Sequence, residues 1–255
     1  MNLLLLEPAE VRSDGTSVVS ASRARHLRDV LRIQPGQEVR AGVVDGGIGT
    51  CTVLALDADT VTLKCAFEVT PVRPSVDLLL ALPRPKVMQR LWAQVAALGV
   101  GQIVLTNATR VERNYFDTHV LEPDNYRPLL LEGLQQARDT RLPVVSIHRR
   151  LKVLLEDDLD VLCPSRSRLV AHPGSRETFR GVLGANPAHE RGRQTRTLLA
   201  VGPEGGWTDF ELGLLTTHGF AAVGMGGRTL RSDTACVALL ALLHEALRGS
   251  PDLRP

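Results

Sequence analysis

The chain has 255 residues, 44% apolar and 23% charged, with a formal net charge of +2. This balance excludes intrinsic disorder and leaves room for one large domain or two smaller ones. The longest apolar run, residues 236–243, falls far short of the roughly 20 residues that cross a bilayer, and the leucines at 3–6 meet Glu7 and Pro8 too soon for a signal peptide, so a cytoplasmic protein without a membrane partner is expected.

Cys51, Cys65, Cys163 and Cys236 form no Cys-x-x-Cys pair, and no His-Glu-x-x-His occurs. The spacing suggests neither a metal site nor a disulfide framework, and the four read as small buried hydrophobes. The 30 basic residues include only three lysines, Lys64, Lys86 and Lys152; the rest are arginine. Arginine's planar fork suits phosphate and stacks on bases, but codon bias in a GC-rich genome produces the same excess, and composition leaves both open.

In chain order, residues 1–70 read as short strands with turn punctuation. Arg23-Ala-Arg-His-Leu-Arg-Asp-Val-Leu-Arg32 predicts a short helix with Leu27, Val30 and Leu31 on one side, followed by a Pro35-Gly36 turn. Strands are expected over 39–44, 50–56 and 60–65, with Asp45-Gly-Gly-Ile-Gly49 as a hairpin turn, which together suggest a small β-barrel. Pro71-Val-Arg-Pro74 is the expected linker. Beyond it, apolar runs at 76–82, 102–106, 144–147, 169–171, 197–201 and 221–223 alternate with helical stretches at 86–98, 125–137, 175–183, 208–217 and 232–248, the last stopped by Gly249 and Pro251. This alternation predicts a parallel α/β sheet, whose ligand loops follow the strands' carboxyl ends.

Two such loops stand out. Val201-Gly-Pro-Glu-Gly-Gly206 runs from a buried strand to a helix with Thr208 as N-cap and Glu211 closing a capping box, and its three glycines exceed what a turn needs. Val223-Gly-Met-Gly-Gly-Arg-Thr-Leu-Arg-Ser-Asp-Thr-Ala235 leads through two arginines to a helix with Ser232 or Asp233 as N-cap. That helix carries an apolar stripe wide enough for both core and a subunit interface. Neither loop fits the nucleotide-phosphate motifs.

Gly202-Pro-Glu-Gly-Gly206 and Gly226-Gly-Arg-Thr-Leu-Arg-Ser-Asp-Thr-Ala235 together resemble the paired cofactor loops of the SPOUT superfamily of S-adenosyl-L-methionine-dependent RNA methyltransferases. Within it the chain is similar to the 16S ribosomal RNA (uracil-N3) methyltransferase family, with Arg25-His-Leu-Arg-Asp-Val-Leu-Arg32 and Pro35-Gly36 matching that family's N-terminal segment. The resemblance implies a PUA-like β-barrel RNA-binding domain over 1–72 and an α/β methyltransferase domain with a trefoil knot over 73–255, an exception to unknotted chains. It also implies a homodimer, and small-subunit ribosomal RNA or the assembled subunit as substrate. The cofactor loops map onto Val170-Ala-His-Pro-Gly174, 201–206 and 225–231. They assign cofactor contacts to Ala171, His172, Val201, Gly202, Pro203, Glu204, Gly205, Gly206, Met225, Gly226, Leu230, Arg231 and Ala235. For His172 the implied task is packing rather than catalysis.

Methyl transfer to uracil N3 needs in-line approach, loss of the N3 proton and an unpaired base, without a metal or covalent nucleophile. A guanidinium beside the uracil oxygens would stabilise the developing anion; Arg231 is the first candidate and Arg228 the second. The proton acceptor is left open between Asp233, a water and no specific base. Candidate RNA contacts are Arg23, Arg25, His26, Arg32, Arg110 and Arg138, as a local patch, since residues 1–70 carry more acidic than basic groups. The chain departs from the family's usual pattern at Ser232-Asp-Thr-Ala235, Gln136-Ala-Arg-Asp139, Gln94 and Ala97. These departures keep alive another RNA target, while the alternative class is a non-catalytic RNA-binding or assembly factor.

Overall fold

The computed structural model describes residues 2–164, 167–185, 196–228 and 230–248. Its internal contacts divide the chain into two compact units, Met1–Arg73 with Leu131–Leu142, and Pro74–Leu130 with Pro143–Pro255. The first unit thus contains Arg73 and Leu131–Leu142 in addition to residues 1–72.

In the first unit, β1 (Leu4–Leu6), β2 (Thr16–Ser20), β3 (Glu38–Val43), β4 (Ile48–Leu56) and β5 (Thr60–Val69) form a sheet in the order β1-β3-β4-β5-β2. β1 runs parallel to β3 and the other pairs are antiparallel. Alternation along the strands turns Ala41, Cys51, Val53, Val61 and Leu63 inward against Leu4, Leu6 and Val19. Two register shifts between β4 and β5 bend this pair, as bulges do. The expected hairpin turn joins β3 to β4, with Asp45 in the left-handed region at φ 57°. The returning segment clamps the turn: the Asp45 N–H donates to the Thr140 carbonyl at 2.7 Å, and the Thr140 hydroxyl donates to the Gly46 carbonyl at 2.7 Å.

Two expectations for this unit change. α1 (Ala21–Arg25) runs into a π-turn over His26–Val30, where the Leu31 N–H donates to the His26 carbonyl at 3.0 Å. The extra residue in that turn breaks the single apolar side: Leu27 is buried, whereas Val30 and Leu31 are exposed. The cysteines are not all free hydrophobes either. Cys51 and Cys65 stand directly opposite on β4 and β5 and form a disulfide, with Cα atoms 3.9 Å apart. Strand register creates this pairing, which is why a 14-residue spacing without a motif did not show it.

The second unit is built on a parallel sheet of β6 (Val76–Ala81), β7 (Gln102–Thr106), β8 (Val144–His148), β9 (Ser167–Ala171), β10 (Thr197–Val201) and β11 (Phe220–Val223), in the order β11-β9-β10-β6-β7-β8. Every pairing is parallel. The central strands β6, β7 and β10 are buried along their whole length, as a parallel sheet covered on both faces requires. The helices of this unit are α2 (Pro85–Ala97), α4 (Leu151–Val153), α5 (Leu159–Leu162), α6 (Phe179–Gly184), α7 (Asp209–Thr217) and α8 (Ser232–Leu247), while α3 (Pro123–Ala137) begins in this unit and from Leu131 belongs to the first. α2 buries Val87, Met88, Leu91, Trp92 and Val95, an i, i+4 stripe, and packs on α8, which buries Cys236, Leu239, Leu240 and Leu243.

Helix starts differ from expectation in two places. α6 begins at Phe179 rather than 175 because the Ser175 side chain is occupied, donating to the Ala222 carbonyl at 2.9 Å and accepting from the Glu177 N–H at 3.2 Å; Thr178 supplies the cap. Arg231, not Ser232 or Asp233, is the N-cap of α8. The helical run over 151–162, bridged by a π-turn at Leu154–Asp158, was not anticipated. The stop at Gly249 and Pro251 lies outside the described residues, among which no helix is long and apolar enough to cross a membrane.

Non-reducing peptide mapping is expected to recover a Cys51–Cys65 cross-link. Reduction under native conditions frees a loop of this length and lowers stability by ~3 kcal/mol, read by denaturant titration. Cys163 and Cys236, whose thiols burial pushes up to about 12, should resist alkylation until the protein unfolds.

Candidate functional site

Because all six strands run the same way, the loops that leave β6, β7, β9, β10 and β11 emerge on one edge of the sheet. Three of them enclose a cleft of about 240 Å3. Ala171 and His172 line it from the first, Val201, Gly202, Pro203, Glu204, Gly205 and Gly206 from the second, and Met225, Gly226, Arg228, Leu230 and Ala235 from the third. Of the residues assigned to the cofactor from sequence, Arg231 does not line the cleft. It stands at its rim with a largely exposed side chain.

Among the lining residues that the sequence assignment did not include, two carry a buried polar group, Trp207 and Ser232. Trp207 folds back over Gly202, so that a Cβ there would lie only 3.1 Å from the indole nitrogen, a tight contact that glycine avoids. Gly206 makes the reversal possible, with φ 74°. Trp207 is buried, yet its Nε1–H has no partner. Ser232, at the start of α8, is also buried and also lines the cleft with an unpartnered hydroxyl. An unpaired buried donor costs about 1–3 kcal/mol, and both of these residues belong to the wall of one cleft. The signal for Trp207 was adjacency to the glycine loop; for Ser232, its candidacy as a cap obscured its place in that wall.

Side chains from the β6 and β7 loops tie the glycine loop down. The Glu211 carboxylate accepts from the Thr208 N–H at 2.8 Å and hydroxyl at 2.9 Å, completing the expected capping box. Its other oxygen accepts from the Thr109 N–H at 2.6 Å and hydroxyl at 3.1 Å. Burial pushes the Glu211 carboxyl up, but these hydrogen bonds outweigh it and hold the group below the usual range. The Arg110 guanidinium donates to the Gly205 carbonyl, and Arg84 Nε lies 3.2 Å from Glu204 Oε2.

At the rim, Asp233 Oδ2 accepts from Arg90 Nη2 at 2.8 Å, Oδ1 accepts from the Thr234 N–H at 2.9 Å, and Arg231 Nε stands 3.7 Å from Oδ1. The Arg90 guanidinium chiefly holds the Asp233 carboxyl below its ordinary range. A carboxylate so held is a poor proton acceptor. Arg228 is exposed on the cleft lining, and the His172 Nδ1 accepts from the Gly174 N–H at 3.1 Å, a loop-packing bond.

Of the candidate RNA contacts, Arg25, Arg32 and Arg138 are exposed and His26 is half-buried. Arg23 is committed to Glu10 and to the Leu5 carbonyl, and Arg110 to the glycine loop.

An RNA methyltransferase domain family matches residues 70–244, and an RNA methyltransferase PUA domain family matches residues 19–64. The chain is 31% identical to the ribosomal RNA small subunit methyltransferase E of Treponema pallidum, over 98% of this chain and 95% of that protein. It is 26% identical to its namesake from Mycobacterium bovis, over 88% and 84%. Among solved structures, a ribosomal RNA small subunit methyltransferase E from Neisseria gonorrhoeae bound to S-adenosyl methionine superposes with a TM-score of 0.74 at 22% identity, covering 96% of this chain and 97% of that one.

Glu211→Ala removes four hydrogen bonds and is expected to cost about 2–3 kcal/mol of stability, measured by chemical denaturation. Because the folded-state pKa is lowered, the wild-type stabilisation is complete above the ordinary carboxylate range and is lost as pH falls through and below it. The wild-type and Ala variants should therefore converge in stability on acidification; a constant gap from neutral to strongly acidic pH would contradict the assignment.

Proposed function

The chain belongs to the RNA methyltransferase family of ribosomal RNA small subunit methyltransferase E, and from that premise we propose that it methylates N3 of a uridine in 16S ribosomal RNA using S-adenosyl-L-methionine. The observation that carries the reading is the cleft formed by the three strand-end loops, with the partnerless Trp207 Nε1 and Ser232 Oγ buried in its wall. The main-chain groups of 201–206 and 225–226, with Ala171, His172, Leu230 and Ala235, would hold the cofactor. When bound, it supplies an electrophilic methyl group on a sulfonium.

The residues of the chain do the rest. The buried parts of the cleft exclude water, and the tethered glycine loop holds its shape without reorganising. Arg231, fixed at one nitrogen beside Asp233 and otherwise exposed at the rim, stabilises the negative charge that develops on the uracil oxygens as the N3 proton leaves; Arg228 is the second cation on the lining. Asp233 anchors Arg231. The first unit serves as the PUA-like RNA-binding domain, with Arg25, His26, Arg32 and Arg138 as the contact patch, and phosphate contacts make binding fall steeply with salt. The reading includes a trefoil knot in the second unit, a cytoplasmic location, and a homodimer formed through the exposed side of α8, where Leu242 is left at the surface.

Incubation of the protein with methyl-labelled cofactor and either naked 16S RNA or assembled small subunits, followed by nucleoside analysis, is expected to yield N3-methyluridine. Label on a ribose 2′-hydroxyl or a transfer-RNA base would identify a different target, and no cofactor binding by calorimetry would identify a non-catalytic RNA-binding factor. Arg231→Ala should leave cofactor affinity within several-fold and lower turnover at least about a hundredfold, a loss of the size seen when one transition-state donor is removed. S-adenosylhomocysteine should change the tryptophan fluorescence of the wild type and not of Trp207→Phe, since Trp92 is buried and stacked on Tyr126; an equal change in both would remove Trp207 from the site.

A further inference from the structure

We propose that Arg90, on α2, is a positioning residue for the methyl-transfer reaction, acting through Asp233 to leave the Arg231 guanidinium free for the substrate. The inference rests on the reading of Arg231 given above and extends it to a residue that touches neither the cleft nor Arg231.

The geometry is a shared carboxylate. Arg90 Nη2 takes one Asp233 oxygen at 2.8 Å, across 143 residues of sequence, while Arg231 Nε stands 3.7 Å from the other. Asp233 is the least exposed of the three, with 17% of its side chain accessible against 51% for Arg90 and 73% for Arg231. The acid is therefore the fixed point and the two arginines reach it from opposite oxygens. The Thr234 N–H, at 2.9 Å, sets the orientation of the carboxylate at the start of α8.

The electrostatic consequence follows from counting charges. One carboxylate between two guanidinium groups leaves a net positive charge at the rim. With Arg90 in place, the close, hydrogen-bonded pair is Arg90–Asp233, and Arg231 is held only by a longer contact that orients its Nε. Its outer nitrogens remain available to an anion. Without Arg90, the full charge of Asp233 would fall on its one remaining cation, drawing the Arg231 guanidinium into a close pair and cancelling the field that the developing uracil anion needs. Arg90 thus neutralises Asp233 so that Arg231 does not have to.

An ion pair at the protein surface adds little to stability, so an effect on the reaction can be separated from one on folding. Arg90→Ala is expected to lower kcat about tenfold, with the KM for S-adenosylmethionine within about twofold, and Arg90→Lys to recover most of the loss. Because Arg90 acts through Arg231, Arg90→Ala in an Arg231→Ala background should cause no further loss, the non-additivity of a coupled pair. In the free protein, without cofactor or RNA, the Arg231 Nε–Hε resonance should shift in Arg90→Ala and return toward its original position in Arg90→Lys. Wild-type turnover in Arg90→Ala, an unmoved resonance, or a loss that multiplies in full with that of Arg231→Ala would overturn the inference. Wild-type turnover in Arg231→Ala would instead overturn the reading of Arg231 as the anion stabiliser, while the resonance would still report the linkage.

Discussion

The parallel direction of the strands in the second unit is the constraint from which its site follows. A parallel strand cannot turn back through a short hairpin; each must be reached by a crossover, so successive carboxyl ends accumulate on one edge of the sheet. Loops that begin near residues 82, 107, 172, 202 and 224 are brought to that edge although they are spread over more than half the chain. β9 and β10 return to the sheet on the far side of β6 from β7, and this places the glycine loop after β10 between the loop after β9 and those after β6 and β7. Glu211 can reach Thr109, and Arg110 can reach Gly205, only because of that order.

The hydrogen bonds of the site divide its charged groups into those that hold shape and those that stay free. Glu211 and Asp233 are fully engaged by N–H, O–H and guanidinium donors, and both are held ionised by them. Glu204 is paired across the loop with Arg84. Arg228 and Arg231 extend to the surface, and the donors of Trp207 and Ser232 are buried without partners in the cleft wall. A site with its anions anchored and its cations and neutral donors available is prepared for an electron-rich ligand, and little rearrangement is needed when charge develops there. This arrangement also fits a reaction in which the protein orients and stabilises rather than forming a bond to the substrate itself.

Much of this was legible in the sequence because it is encoded locally. Strand alternation, the capping box at Thr208 and Glu211, and the two glycine clusters each depend on residues a few positions apart, and the structure contains them within a few residues of their expected bounds. One departure is local: the π-turn redirects Val30 and Leu31 to solvent while Ala24 and Leu27 fill the core. The others depend on a partner farther along the chain. Ser175 is held by the Ala222 carbonyl of β11, which delays α6. Arg23, read as a free cation, is paired with Glu10, and Arg90, with no local motif around it, meets Asp233 across the α2–α8 contact.

The sequence by itself determined the α/β class of the second unit, the loops that form the cleft and the family to which the chain belongs. These follow from periodicity, glycine placement and contiguous motifs, all of which survive being read along a line. Only the tertiary structure decided which side chains within those loops are committed and which are free. It paired Cys51 with Cys65, turned Trp207 over Gly202, set Ser232 in the cleft wall and placed Asp233 between Arg90 and Arg231. The reason is physical: a hydrogen bond or an ion pair depends on distances of about 3 Å in space, and strand order and helix packing, not spacing along the chain, set those distances.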